Sequence, residues 1–113
     1  MKDIVILKYD ISLNELKKRI KAVDEMRRNR YYVIEIGKHC WEVYAPSGKV
    51  YTVKYRTGKM TCNCPDAIFR ARKVSNGWCK HILFVLKRIE LDEELENFIS
   101  TNPYLSLFFD FEI

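Results

Sequence analysis

The segment "TCNCPDAIFRARKVSNGWCKHILFVL", residues 61–86, places Cys62 and Cys64 one residue apart and, 14 residues later, Cys79 and His81 one residue apart. Thiolate and imidazole side chains in this grouping are ligands for a soft or borderline divalent cation. Three sulfurs and one nitrogen make a Cys₃His set, the closed tetrahedral arrangement of structural zinc. Three thiolates around Zn²⁺ leave a net charge of −1, which a helix amino end and the adjacent Lys80 can partly offset. A four-ligand site has no open position for a reacting water, so the set argues against hydrolysis. Zinc deamination is also disfavoured, because the HxE…PCxxC arrangement is absent. Two tight pairs so close together are a poor match for chance thiols or a surface histidine. Cys40, next to His39, is read as a buried free thiol rather than a fifth ligand.

The spacing dictates how each pair is presented. In an extended segment side chains i and i+2 point the same way, so Cys62 and Cys64 can leave a strand with both sulfurs toward one ion, Asn63 bridging them. Inside a regular helix i and i+2 diverge by about 200°. Cys79 is therefore expected at or before a helix start, with His81 in the first turn.

The elements needed for this can be read on either side. Residues 3–9, "DIVILKY", read as a short strand. The stretch "DISLNELKKRIKAVDEMRRNR", residues 10–30, reads as a helix opened by a Ser12/Glu15 capping box, with Leu13, Leu16, Ile20 and Val23 at helical spacing and Lys17, Lys18, Lys21 and Arg28 mainly on the other side. The runs 31–37, 40–46 and 49–56 are β-like. "PSG" makes Trp41–Ala45 and Val50–Tyr55 a hairpin within a meander, and Gly58 turns the chain toward the first cysteine pair. After Pro65, "DAIFRARKV" suits a short helix. "CKHILFVLKRIEL" is a strong, largely buried helix, and Asp92 caps a further one through "EELENFIS". The end, "YLSLFFDFEI", alternates and is predicted to be a strand, either completing the chain's own sheet beside residues 3–9, the favoured reading, or adding to a partner or second copy. The expected fold class is α+β: a small antiparallel sheet with helices packed around a structural Cys₃His zinc site. It forms one domain over 1–113, with an N-terminal strand, basic helix and strand (1–39), the zinc region (40–90) and an acidic helix plus apolar strand (91–113).

With 113 residues, 48% of them hydrophobic and 31% charged, the chain has the composition of a folding domain. No apolar run reaches the ~20 residues of a membrane span, and "MKDIVILKYD" is a poor secretory signal. The expected location is intracellular, cytoplasmic or, in a eukaryote, nuclear, and in such a reducing compartment thiols favour metal over disulfides. The charge is divided: residues 1–88 hold all 20 Lys and Arg against 8 acids, a net +12, whereas 89–113 carry 7 acids and no base. A basic body attracts phosphate, although solvated helix faces would have the same composition.

The pattern Cys-x-Cys, 14 residues, Cys-x-His resembles the SWIM zinc finger. "WEVYAPSGKVYTV" looks like the hairpin before the first pair in that family, and "CKHILFVL" like its CxH and apolar helix. The resemblance spans about residues 40–90 and carries the zinc-ligand role onto Cys62, Cys64, Cys79 and His81, with one structural Zn²⁺. It implies binding to DNA or protein. Because no GxxxxGK[ST] loop or RING accompanies it, the implied analogy is with stand-alone members that work in recombination beside Rad51 paralogues.

The expected function is thus a non-catalytic, zinc-stabilised module that binds nucleic acid, DNA first, as an accessory factor in recombination, repair or transcription. Lys17, Lys18, Lys21, Arg70, Arg72, Lys73 and Lys80 are its candidate phosphate contacts. The alternative is a protein-interaction adaptor, homo-oligomerisation through the C-terminal strand included. An enzyme is not expected: Asp66 after Pro65 reads as a first-turn helix acid, and no nucleophile–base pair or phosphate-cradling loop is visible.

Overall fold

A computed structural model describes residues 13–65 and 78–110. The strand expected at 3–9, the Ser12 cap and the short helix expected after Pro65, with Asp66, Arg70, Arg72 and Lys73, lie outside these residues. Helix α1 (Leu13–Arg28) is followed by strands β1 (Tyr32–Gly37), β2 (Cys40–Tyr44), β3 (Val50–Arg56) and β4 (Lys59–Cys62). Three helices complete the described chain: α2 (Lys80–Arg88), α3 (Glu93–Ser100) and α4 (Pro103–Phe109). This is the expected α+β class.

The strands form one antiparallel meander in the order β1-β2-β3-β4, and each turn follows from its residues. In the β2–β3 turn the Gly48 N–H donates to the Ala45 carbonyl at 2.9 Å, and Gly48 takes φ +97°. This is a type I turn closed by a glycine bulge, with Pro46 at the position where its fixed φ suits such a turn. In the β3–β4 turn Thr57 and Gly58 both have positive φ, 45° and 80°, the two-residue turn whose twist matches paired strands. That turn pairs Arg56 with Lys59 and Val53 with Cys62. The sequence pattern showed only a change of direction here; pairing to β3 makes Lys59–Cys62 a fourth strand.

Alternation assigns the two faces of the sheet. Trp41, Val43, Val53, Tyr55, Met60 and Cys62 point inward and are buried. They meet α2, which packs against β2, β3 and β4 on one side and α1 on another. Six consecutive α2 residues, His81–Leu86, are buried, the signature of a helix inside a core rather than on its surface. From α1 come Leu16, Val23 and Met26, with Ile20 half-buried. Arg19 also lies on this inner side, 7% exposed, its Nε 3.2 Å from Glu15 Oε2. Helix α1 ends with the Tyr31 N–H donating to the Met26 carbonyl (3.1 Å) and the Arg30 N–H to that of Arg27 (3.4 Å). That is the Schellman pattern, with Arg30 at φ +67° in the place glycine usually takes.

The C-terminal segment departs from expectation. Residues 103–109 form a helix, not a strand. The Asn102 side chain accepts a hydrogen bond from the Leu105 N–H at 3.1 Å, and Pro103 occupies the first turn, where its missing N–H costs nothing. Tyr104, Leu105 and Phe108 are buried at helical spacing, each burial worth about 1.5–3 kcal/mol. The Ser106 hydroxyl donates to the Ile99 carbonyl, tying α4 to α3, and Lys87 Nζ sits 4.5 Å from the Phe109 ring centroid. This apolar segment completes the chain's own core, but as a helix. The C-terminal strand on which the homo-oligomer expectation rested is therefore replaced by a helix over residues 103–109.

Candidate metal centre

The first ligand pair leaves the sheet at the end of β4. Cys62 is its last residue and faces inward; two residues on, Cys64 faces the same side and is 1% exposed. Asn63 does more than bridge them. Its N–H donates to the Thr52 carbonyl (3.3 Å) and its side-chain oxygen accepts from the Thr52 N–H (3.0 Å). Both hydrogen bonds lock the exit path of the cysteine pair against β3.

The second pair opens α2. Cys79 is the N-cap, extended at φ −85° and ψ 169°, and fully buried; Lys80 is the first helical residue and His81 lies in the first turn. The cap position resolves the i, i+2 problem, because only His81 is subject to helical geometry. His81 is 5% exposed, and the Tyr51 ring lies over it at a centroid distance of 4.2 Å, tilted by 31°. Spacing alone gives Asn63 only a bridging place and Tyr51 no role at the metal; both roles come from the β3 register, which sets Tyr51 and Thr52 beside the ligands.

All four ligand atoms lie within 4.8 Å of one another, and Cys79 Sγ is 3.9 Å from His81 Nδ1. A tetrahedral zinc with ordinary bond lengths requires ligand atoms about 3.6–3.8 Å apart. The donor set, burial and spacing therefore fit one Zn²⁺ with slight contraction. Cys40 stays outside the group, half-buried at the start of β2.

The electrostatics also call for a cation. The neighbouring sulfur of Cys64, followed by burial, pushes the Cys62 thiol up to about 12, and Cys62 and Cys64 together push Cys79 upward as well. Packed sulfurs cannot all ionise against one another. A divalent ion at their centre reverses this, stabilising the thiolates it binds. The amino end of α2 contributes favourable partial charge to the resulting anionic centre.

A compact Cys₃His centre joining a strand exit to a helix entry defines a structural zinc module. Residues 51–90 match the family model of the SWIM zinc finger, and the two ligand pairs lie within the matched stretch. Neither curated proteins nor solved structures gave a match. The match and the Cys62, Cys64, Cys79 and His81 cluster are compatible with one structural zinc ion, which these four residues would hold.

The candidate phosphate contacts separate. Lys17, Lys18 and Lys21 are exposed on α1, while Lys80 is half-buried in the first turn of α2. Because α2 lies between α1 and the sheet, the α1 lysines and the outer face of the sheet are two surfaces, not one stripe. That outer face carries Lys54, Arg56 and Lys59, all exposed, which the sequence reading did not select. Their common direction depends on register: Lys54 pairs with Thr61 and Arg56 with Lys59. No described helix is long and apolar enough to cross a membrane.

Proposed function

We propose that this chain is a non-catalytic, zinc-stabilised module that binds nucleic acid, DNA being the expected ligand, as an accessory factor in recombination, repair or transcription. The observation that carries the reading is the state of its surface cations. Lys17, Lys18 and Lys21 on α1, and Lys54, Arg56 and Lys59 on the sheet, are exposed, and among the described residues none forms an ion pair. Side chains held out of internal pairs are available to phosphate, and they belong to a body of net +12. Arg70, Arg72 and Lys73, between the ligand pairs in sequence, add to the same charge. The zinc serves to fix the hairpin to α2 and so to hold the strand-borne cations in place.

The test is fluorescence anisotropy of labelled single-stranded and duplex DNA titrated with zinc-loaded protein at low and near-physiological salt. Saturable binding that weakens with salt supports the reading; no binding at low salt removes it. The competing reading, a protein-interaction adaptor partnering a recombinase-like protein such as a Rad51 paralogue, is favoured by the exposed Tyr32, Ile34, Ile36 and Val50, and a wild-type protein inert toward DNA and RNA would select it.

A further inference from the structure

The outer face of the sheet is uncovered among the described residues, and its composition is divided. From β1 and β2 it presents Tyr32, Ile34, Ile36 and Tyr44, with Val50 of β3 opposite Tyr44; from the remainder of β3 and from β4 it presents Thr52, Lys54, Arg56, Lys59 and Thr61. Two local features stand out. Arg56 lies directly across from Lys59, a like-charged pair that weakens a hairpin, and no carboxylate in the described chain relieves it. At the far corner the rings of Tyr32 and Tyr44 are stacked, centroids 4.9 Å apart and planes within 2°, while Tyr32 remains 53% exposed. Among the described residues the one carboxylate on this face, Glu42, already accepts the Tyr44 hydroxyl at 2.6 Å.

A paired cation that lacks an anion and an aromatic stack with an open ring are complementary to the two parts of one ligand, phosphate and base. Resting on the nucleic-acid reading above, we infer that the outer face of the sheet binds single-stranded nucleic acid. Phosphates lie on Arg56, Lys59 and Lys54, and a base adds to the Tyr44–Tyr32 stack. From Tyr44 to the Arg56 end of β3 is roughly 20 Å, and from β1 to β3 roughly 10 Å, so the strand crosses the face diagonally and occupies at least about 4 nucleotides. Ile34 and Ile36 provide an apolar floor next to the stack. A duplex buries its base faces and cannot use Tyr32, so preference for single strands is intrinsic to the surface. The α1 lysines, on the other side of α2, are not part of it.

The experiment titrates a labelled oligothymidylate of about 12 nucleotides and a matched duplex with zinc-loaded full chain. Wild type is compared with Arg56→Ala/Lys59→Ala, Tyr32→Ala, Tyr32→Phe and Lys17→Ala/Lys18→Ala/Lys21→Ala. Expected are tighter binding of the single strand and, for Tyr32→Ala, a loss of about 5- to 150-fold that Tyr32→Phe restores. The Arg56/Lys59 variant should show a log K against log salt slope shallower by about 1.4. Zinc content and unfolding midpoint, measured on each variant, separate surface loss from misfolding. Binding unchanged by the sheet variants but abolished by the α1 triple variant overturns this inference and leaves nucleic-acid binding standing. Wild type that binds neither probe overturns both, leaving the apolar half of the face to a protein partner.

Discussion

The imidazole Nε2 of His39 lies 2.7 Å from Oδ2 of Asp92, joining the β1–β2 turn to the N-cap of α3 across 53 residues of sequence. The other Asp92 oxygen accepts the Leu95 N–H at 2.9 Å, so one carboxylate both caps α3 and holds the turn. His39 adopts φ +56° and packs edge-on against Tyr55, which in turn contacts Phe98 of α3. The Leu95 amide, and after it His39, hold the Asp92 carboxyl below its ordinary value of 3.8. Its folded-state value is depressed, so its contribution is present above about pH 4 and is lost as pH falls through the folded value. Acid unfolding of Asp92→Asn, which keeps a capping oxygen, should therefore begin from a lower midpoint temperature but fall less steeply below pH 4 than wild type; parallel acid profiles would refute this.

Removal of zinc has a different pH signature. Cys62 in the metal-free fold is raised from an ordinary 9.0 to about 12, and Cys79 is raised too. A raised thiol value means that stability is full below about pH 9 and declines as pH climbs toward 12. Chelated protein should lose stability across that alkaline window while zinc-loaded protein does not. At pH 7 zinc uptake should release about three protons per chain, read by a pH indicator. Cys62→Ser and His81→Ala should both lose tight zinc and unfold at lower temperature; one zinc per chain retained in each would refute the ligand set.

Tyr51 is expected to act on the metal without touching it. Its ring fixes the His81 plane from 4.2 Å, and freeing the imidazole should weaken zinc about tenfold. Competition with a chromophoric chelator should show this for Tyr51→Ala, while Tyr51→Phe, which keeps the ring, binds as wild type. Equal affinity in all three would show that β3 packing alone sets the imidazole.

Arg30 offers a gain. It holds the left-handed position at the end of α1, φ +67°, with its side chain exposed. Arg30→Gly removes a conformational penalty and should stabilise the chain by about 0.5–1 kcal/mol, checked by urea unfolding. A loss of stability would mean that the Arg30 side chain has a partner worth more than the relief.

The metal centre was legible in the sequence because ligand spacing is a local geometric statement: Cys62 and Cys64 need an extended segment, Cys79 and His81 a helix entry, and the chain supplies both. The β2–β3 hairpin followed from "PSG" for the same reason, whereas at Gly58 only a change of direction could be read and the β3–β4 pairing came from the structure. The tail misled because Leu105, Leu107 and Phe109 alternate by coincidence within an apolar run, where period alone cannot separate strand from helix. The deciding signal was present in Asn102 and Pro103, which could be read as ending α3 but in fact begin α4. Tyr51, Asn63 and the row Lys54–Arg56–Lys59 were not legible, since their importance depends on which residues the register sets opposite them.

The meander order of the sheet has a kinetic consequence. Every described strand pairs with its predecessor through a short turn, so closing each hairpin loses little chain entropy, and low contact order favours rapid formation. Asn63 is fastened to Thr52 within that local unit, so Cys62 and Cys64 are presented together as soon as β3 and β4 pair. The 14-residue separation between Cys64 and Cys79 is then the longer closure along the sequence. Refolding followed by stopped flow should show a fast phase indifferent to zinc and a later one that accelerates with it, the ion recruiting α2 to a sheet already formed.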